Sequence, residues 1–248
     1  MATSIDLSGF QPAQGGDENW SANVVFAAQD DDYWDQGRKI ILGTGDSQKA
    51  FRWSQLTTEQ KQAVDPIALL DGKSESVIVN FIRGDRSQEY PDPALEDEPI
   101  LRQRFSILGD IIRSNPEYVA RPFDIYNDSS YVDFVNSNAE RTPALYVGAN
   151  DGMLHAFDAS DGSELWAYVP SMVVDNLSRL VGIPYSHTYF VDGGISIRDA
   201  YFGDRWRSVL AGSLGAGGRG LFLLDVTVPE LQSESLNSGN NKKVLWEI

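Results

Sequence analysis

Two stretches of this chain carry the same residue types in the same order. The first, ALYVGANDGMLHAFDASDGSELWAY, runs from Ala144 to Tyr168. The second begins SVLAGSLGAGGRGLFLLDVTVPE at Ser208 and, after a polar insertion from Glu230 to Lys242, closes on KVLWEI at the C-terminus. In each, an apolar run ends in glycine (Gly148; Gly212) and a glycine-containing turn follows. A second run ends in aspartate (Phe157-Asp158; Leu224-Asp225), and a third carries Leu-Trp (Leu165-Trp166; Leu245-Trp246). Short apolar runs punctuated by Gly, Asp, Asn and Pro belong to all-β domains. Ile111 to Ala120 and Ile195 to Phe202 each offer one further, innermost strand. The predicted unit is thus a four-stranded antiparallel blade, present twice, with Trp166 and Trp246 at equivalent positions. Such blades stack radially, and a propeller needs about four or more to close. Two are visible and the chain stops inside a strand at Glu247-Ile248, so the expectation is an incomplete β-propeller continued by further blades downstream.

The mainly β region is assigned to residues 101–248, and residues 1–100 to a mixed α+β lead-in. Within the lead-in, Gly37 to Trp53 reads as a hairpin turning at Gly45-Asp46-Ser47. Thr57 with Gln60 approaches a capping box, which predicts a short helix over LTTEQKQAV, ending near Asp65-Pro66. A second helix is expected from about Ser74, with Val77, Ile78, Phe81 and Ile82 on one face and a stop at Gly84. Arg86 to Pro99, proline-rich and acidic, reads as an exposed loop.

Several of these segments carry a family resemblance. LYVGANDGMLHAFDASDGSELWAYVPS and YFVDGGISIRDAYFGDRWRSVLAGSLGAGGRGLFLLDVT resemble the β-propeller of the PilC/PilY-type pilus adhesins. VNFIRGDRSQ followed by RFSILGDIIRSNPEYVARP resembles the segment leading into that propeller, so the similarity extends from about Ser74 to the C-terminus. The resemblance implies a non-enzymatic protein of type IV pilus biogenesis, exported through the periplasm to the outer cell surface at the pilus tip. It implies roles in pilus assembly, retraction control and host attachment, with minor pilins or the tip complex, and a host-cell receptor, as partners. It also implies calcium in an aspartate-rich propeller loop, which is expected downstream of Ile248. The N-terminal MATSIDLSGFQPAQGG has no basic and apolar signal regions, so an export signal is expected upstream.

Composition narrows the chemistry. The 20 basic residues against 36 acidic ones give a formal net charge of -16, which repels phosphate backbones and argues against nucleic-acid binding. There is no cysteine, hence no disulfide framework, thiolate zinc site or cysteine nucleophile. No apolar run is long enough to span a bilayer. Asp30, Asp32 and Asp35 form the nearest acidic concentration, a weak metal candidate because neighbouring side chains on an extended segment diverge and calcium needs six to eight convergent oxygens. Gly215 to Gly220 satisfies G-x-G-x-x-G, but the β-like run LFLLDVTVP follows where a dinucleotide site needs a helix. His155 and His187 read as packed or surface histidines, and Ser186, His187 and Asp192 lack the nucleophile elbow of a triad. Arg83-Gly84-Asp85, at the junction of a helix and a polar loop, is the adhesion candidate. Its plainer reading is a glycine helix stop between surface charges. Two alternatives stay open on the repeat alone: a quinoprotein propeller binding pyrroloquinoline quinone, and a scaffold propeller of outer-membrane assembly.

Overall fold

The computed structural model describes residues 20–89, 101–122 and 125–248. The lead-in begins with two short helices, α1 (Ala22–Ala27) and α2 (Tyr33–Gln36), followed by the hairpin strands β1 (Ile40–Gly43) and β2 (Gln48–Ala50). Three helices follow: α3 (Thr58–Val64), α4 (Pro66–Leu70) and α5 (Val77–Arg83). The capping box forms at α3, where Thr57 Oγ1 accepts from Gln60 N at 3.2 Å and Gln60 Oε1 accepts from Thr57 N at 3.0 Å. Asp65 then ends α3 and caps α4, accepting from Ala68 N at 3.0 Å, with Pro66 at the first helical position where its missing N–H costs nothing. The second predicted helix starts at Val77, three residues after the expected Ser74, with Ser76 as its cap, and it stops at Gly84 with φ +125°. The acidic loop expected from Arg86 to Pro99 lies mostly outside the described residues.

Beyond residue 101 the elements are β3 (Glu117–Val119), α6 (Ser129–Ser137), β4 (Ala144–Gly148), β5 (Leu154–Asp158), β6 (Glu164–Val169), β7 (Ile195–Phe202), β8 (Arg205–Ser213), β9 (Leu221–Asp225) and β10 (Val244–Glu247). β3 to β6 pair antiparallel in chain order, and so do β7 to β10. These are the two predicted four-stranded blades, and the fold is a partial β-propeller. The equivalence of the tryptophans holds at the level of register. Trp166 opposes Ala156, two residues before Asp158, and Trp246 opposes Leu223, two residues before Asp225. Each blade also has a bulge just before its tryptophan, at Leu165 and at Leu245. The glycines are offset by one. Gly148 opposes Leu154, whereas Gly212 opposes Phe222, one ladder position nearer its aspartate. At Gly212 a Cβ would sit 2.3 Å from the Phe222 ring, so the glycine makes room for its cross-strand partner.

Three expectations need correction. The innermost strand of the first blade is three residues long, not the ten of Ile111 to Ala120, and α6 was not foreseen. More consequentially, β1 pairs in parallel with β6, Ile40 opposite Ala167 and Leu42 opposite Val169, so the lead-in hairpin extends the first blade to six strands. Its Ile40, Ile41, Leu42 and Phe51 share one buried core with Tyr146, Trp166 and Phe222, so no seam separates the lead-in from the blades near residue 100. The insertion Glu230 to Lys242 contacts the same hairpin. It lies along the hairpin, where Gln48 Nε2 donates to Asn241 O at 2.8 Å and Gln48 Oε1 accepts from Lys243 N at 2.7 Å and Val244 N at 3.1 Å.

The two faces of the first blade are covered differently. On one, Trp166 Nε1 donates to Pro229 O at 2.6 Å and the Tyr168 and Phe222 rings meet edge-on at 5.2 Å, which packs the blade on its successor. On the other, Leu145, Val147 and Phe157 are covered by Phe26 of α1, with Trp20 and Ile111 alongside. Gly162 is needed there, because a Cβ would approach the Trp20 ring to 2.2 Å. The outer face of the second blade has no such cover among the described residues: Leu221 is 50% exposed, Trp246 40% and Ile248 69%.

Candidate functional site

The turn between β4 and β5 is Asn150-Asp151-Gly152, with Gly152 at φ +96°. Asp151 Oδ1 accepts from Met153 N at 3.1 Å and Oδ2 from Gly109 N at 2.8 Å, which directs the carboxylate back over β5. There it meets His155 Nε2 at 3.1 Å. The other ring nitrogen, Nδ1, lies 2.8 Å from Glu164 Oε1 on β6, and Glu164 receives two hydrogen bonds from Arg38, at 2.6 and 2.7 Å. Arg38 Nη1 in turn donates to the carbonyl of Arg83 at 2.5 Å. His155, Glu164 and Arg38 have side chains no more than 1% exposed. Burial by itself would lower the histidine's pKa, but the two carboxylates outweigh it and raise His155 to about 9. Burial would likewise raise Glu164, and Arg38 and His155 outweigh that, lowering it to about 2.

This row of alternating charges places an imidazolium between two carboxylates, with both ring nitrogens occupied and no hydroxyl or thiol in the row to activate. It serves to tie the lead-in to the first blade. The signs of the shifts set a pH window. A histidine raised from 6.5 to about 9 contributes stability that is full below about pH 6.5 and is lost as pH rises through 9. Glu164, lowered from 4.5, contributes stability that is full above about pH 4.5 and is lost as pH falls through about 2. Lys243, which burial pulls down to about 8, acts in the opposite sense above that pH, so the test compares variants rather than raw profiles. Urea midpoints taken near pH 6 and near pH 9 are expected to differ between wild type and His155→Gln, with wild type losing up to about 3 kcal/mol more across that interval. Equal losses in both proteins would show that His155 is not held as an imidazolium.

A second buried cluster crosses the lead-in. Arg83, 1% exposed, donates to the carbonyls of Phe51 at 3.0 Å, Trp34 at 3.2 Å and Arg38 at 3.3 Å, and reaches Glu234 at 3.3 Å. Burial lowers its pKa to about 10. Glu234, from the insertion of the second blade, also pairs with Arg52 and accepts from Ile40 N at 3.0 Å. The expected exposure of Arg83-Gly84-Asp85 therefore does not hold. The guanidinium points into the core, Gly84 is packed against Trp34 and Ile107, and only Asp85 is partly exposed, accepting from Ser87 N at 2.8 Å.

The remaining candidates are dispersed. Asp30 and Asp32 are exposed, and Asp35 turns away to pair with Arg52. No group of three or more metal-ligating side chains forms among the described residues. His187 meets Asp110 at 2.8 Å, while Asp192 is buried and accepts from Arg113 N, so Ser186, His187 and Asp192 are not assembled into a triad. Gly215 to Gly217 form one 3₁₀ turn leading to β9. A Cβ on Gly217 would lie 1.8 Å from Phe190 O, so that glycine permits close backbone packing. Beside the Asn150-Asp151 turn lies a cleft of about 200 Å³, bounded by Phe81 of α5, Arg102, Phe105, Asp110 and Tyr185. Sequence reasoning singled out none of Arg38, Arg102, Asp151, Glu164 or Glu234, whose partners are up to 194 residues away in the chain.

Two antiparallel blades packed face to face, with bulged Leu-Trp strands in register, define a β-propeller protein. Residues 108–248 match the PilY1 beta-propeller domain family. The chain belongs to that family. It is 40% identical over 247 residues to the type IV pilus biogenesis factor PilY1 of Pseudomonas aeruginosa strain PAK, covering 92% of this chain and 19% of the relative. A PilY1 homolog of Xylella fastidiosa strain Temecula1 is 39% identical over 211 residues, covering 81% of this chain and 16% of the homolog. The crystal structure of the Pseudomonas aeruginosa PilY1 C-terminal domain is 38% identical, with a TM-score of 0.38, covering 53% of this chain and 24% of that one. The chain thus spans about a fifth of the length of the curated relatives it matches.

Proposed function

We propose that this chain is part of a type IV pilus biogenesis factor and serves there as a non-enzymatic propeller segment, a rigid platform for protein contacts. The observation that carries the reading is the 40% identity to a PilY1 over 92% of the chain, which takes in the lead-in as well as both blades. The buried ion clusters fit it, since they fasten the lead-in and the insertion to the blades and leave no assembled nucleophile among the described residues. The finer reading places the protein on the outer surface at the pilus tip, reached through the periplasm. There it contacts minor pilins, supports assembly, restrains retraction and contributes to attachment, with calcium bound in a downstream loop. Because Arg83 is buried, attachment through the Arg-Gly-Asp tripeptide is not part of this proposal.

The test is genetic. Deleting the segment from Ala144 to Ile248 in the full-length gene of a piliated bacterium is expected to abolish surface pili in sheared fractions and to stop twitching motility. Retention of wild-type piliation, with the shortened protein present at normal abundance, would overturn the reading.

A further inference from the structure

The cleft beside the β4–β5 turn contains an arginine with no direct ion pair among the described residues, Glu89 and Asp110 acting on it only through space. Arg102 donates through Nε to the carbonyl of Leu180, and its guanidinium lies over the Tyr185 ring at 4.0 Å. Among the described residues no carboxylate pairs with it, and its two terminal nitrogens have no hydrogen-bond partner. That is unusual in a chain with 36 acidic and 20 basic residues, where a half-buried cation has many carboxylates to choose from. The other charged groups of the cleft are already engaged. Arg104 donates to Glu89 at 2.7 Å and to the carbonyls of Phe81 and Asp85. Asp110 meets His187 and Asn150, and Asp151 meets His155 and two backbone N–H groups. At the rim Phe105 is 82% exposed. A planar guanidinium held from below by an aromatic ring and anchored through Nε presents two parallel N–H donors, the geometry that recognises a carboxylate bidentately. The cleft's volume of about 200 Å³ is below the ~300–1,000 Å³ of sites for whole small molecules, so it suits the end of a chain rather than a cofactor.

We propose that this cleft receives the C-terminal carboxylate of a peptide whose last side chain is apolar, with Arg102 binding the carboxylate and Phe105 and Tyr185 flanking the side chain. The inference does not depend on the pilus reading, since it rests on the cleft's own chemistry.

Three probes separate the components of the proposed ligand: acetylphenylalanine, its amide, and acetate. Each is titrated into isotope-labelled protein while the amide and aromatic signals around Arg102, Phe105 and Tyr185 are followed. Saturable shifts are expected with acetylphenylalanine, at an affinity at least about tenfold better than with the amide or with acetate. Arg102→Lys, which keeps the charge and loses the fork, is expected to weaken binding, and Arg102→Met to abolish it, with spectra otherwise unchanged. If Arg102→Met does not fold, the lysine variant and the amide comparison on wild type decide the matter. The proposal fails if the amide binds as tightly as the acid, if Arg102→Lys binds as tightly as wild type, if Arg102→Met still saturates, or if acetylphenylalanine does not bind.

Discussion

Replacing Arg83 with alanine is expected to destabilise the protein by about 3–5 kcal/mol, while Asp85→Ala two residues on changes stability by less than about 1 kcal/mol. Arg83 satisfies three main-chain carbonyls, of Trp34, Phe51 and Arg38, and faces Glu234 inside the core. Removing its side chain strands those acceptors away from water, and each buried acceptor without a partner costs about 1–3 kcal/mol. Glu234 keeps Arg52, which limits the loss. Asp85 forms only a local turn with Ser87 N through its side chain. Equilibrium urea unfolding of the two purified variants measures the contrast. An Arg83→Ala protein as stable as wild type would mean that the buried arrangement is wrong and would reopen an accessible tripeptide. The contrast also bears on adhesion assays, because a loss of attachment in an Arg83 variant reports unfolding unless stability is measured beside it.

Trp166→Ala is expected to cost about 3–5 kcal/mol, and Trp246→Ala, at the equivalent position of the next blade, less than about 1 kcal/mol in this 248-residue chain. The two residues share register and a preceding bulge, and differ in what lies over them. Trp166 is fully buried against the second blade and donates to Pro229 O, whereas Trp246 is 40% exposed beside Leu221 and Ile248. Full burial of one large apolar side chain is worth about 1.5–3 kcal/mol, so covering that outer face would add appreciably to a domain stability of ~5–15 kcal/mol. A partner that covers this face is therefore expected to raise the melting temperature and to make Trp246→Ala costly. Bare apolar faces also favour association between copies, so light scattering of the 248-residue chain is expected to show self-association. A cooperatively melting monomer, indifferent to which tryptophan is removed, would contradict both statements.

The blade repeat was legible because its causes are local. Turns at Gly152 and Gly162 need positive φ, strands need alternation and length, and the Leu-Trp bulge recurs in both copies; all of this is written within about 25 residues. The capping box at Thr57 and the glycine stop at Gly84 were legible for the same reason. The hairpin from Gly37 to Trp53 was recognisable as a hairpin, but its parallel docking on β6 was not, since nothing in KIILGT names a partner strand more than a hundred residues away.

Charge was the least legible property. Arg83 followed by glycine and aspartate looks like a surface turn in the sequence, because arginine is mostly exposed and nothing nearby pairs with it. Its partners come from Trp34, Arg38, Phe51 and Glu234, brought together only when the lead-in and the insertion of the second blade close over the same core. His155 was placed correctly inside a strand, yet its two carboxylates come from a turn and from the neighbouring strand β6. The two blades, their hairpins and the family can be read from local residue order, because backbone conformation and side-chain alternation are short-range properties. Which charges are buried, which blade face is covered and where a cleft opens around Arg102 come from the folded arrangement, because burial and ion pairing depend on distances between residues far apart in the chain.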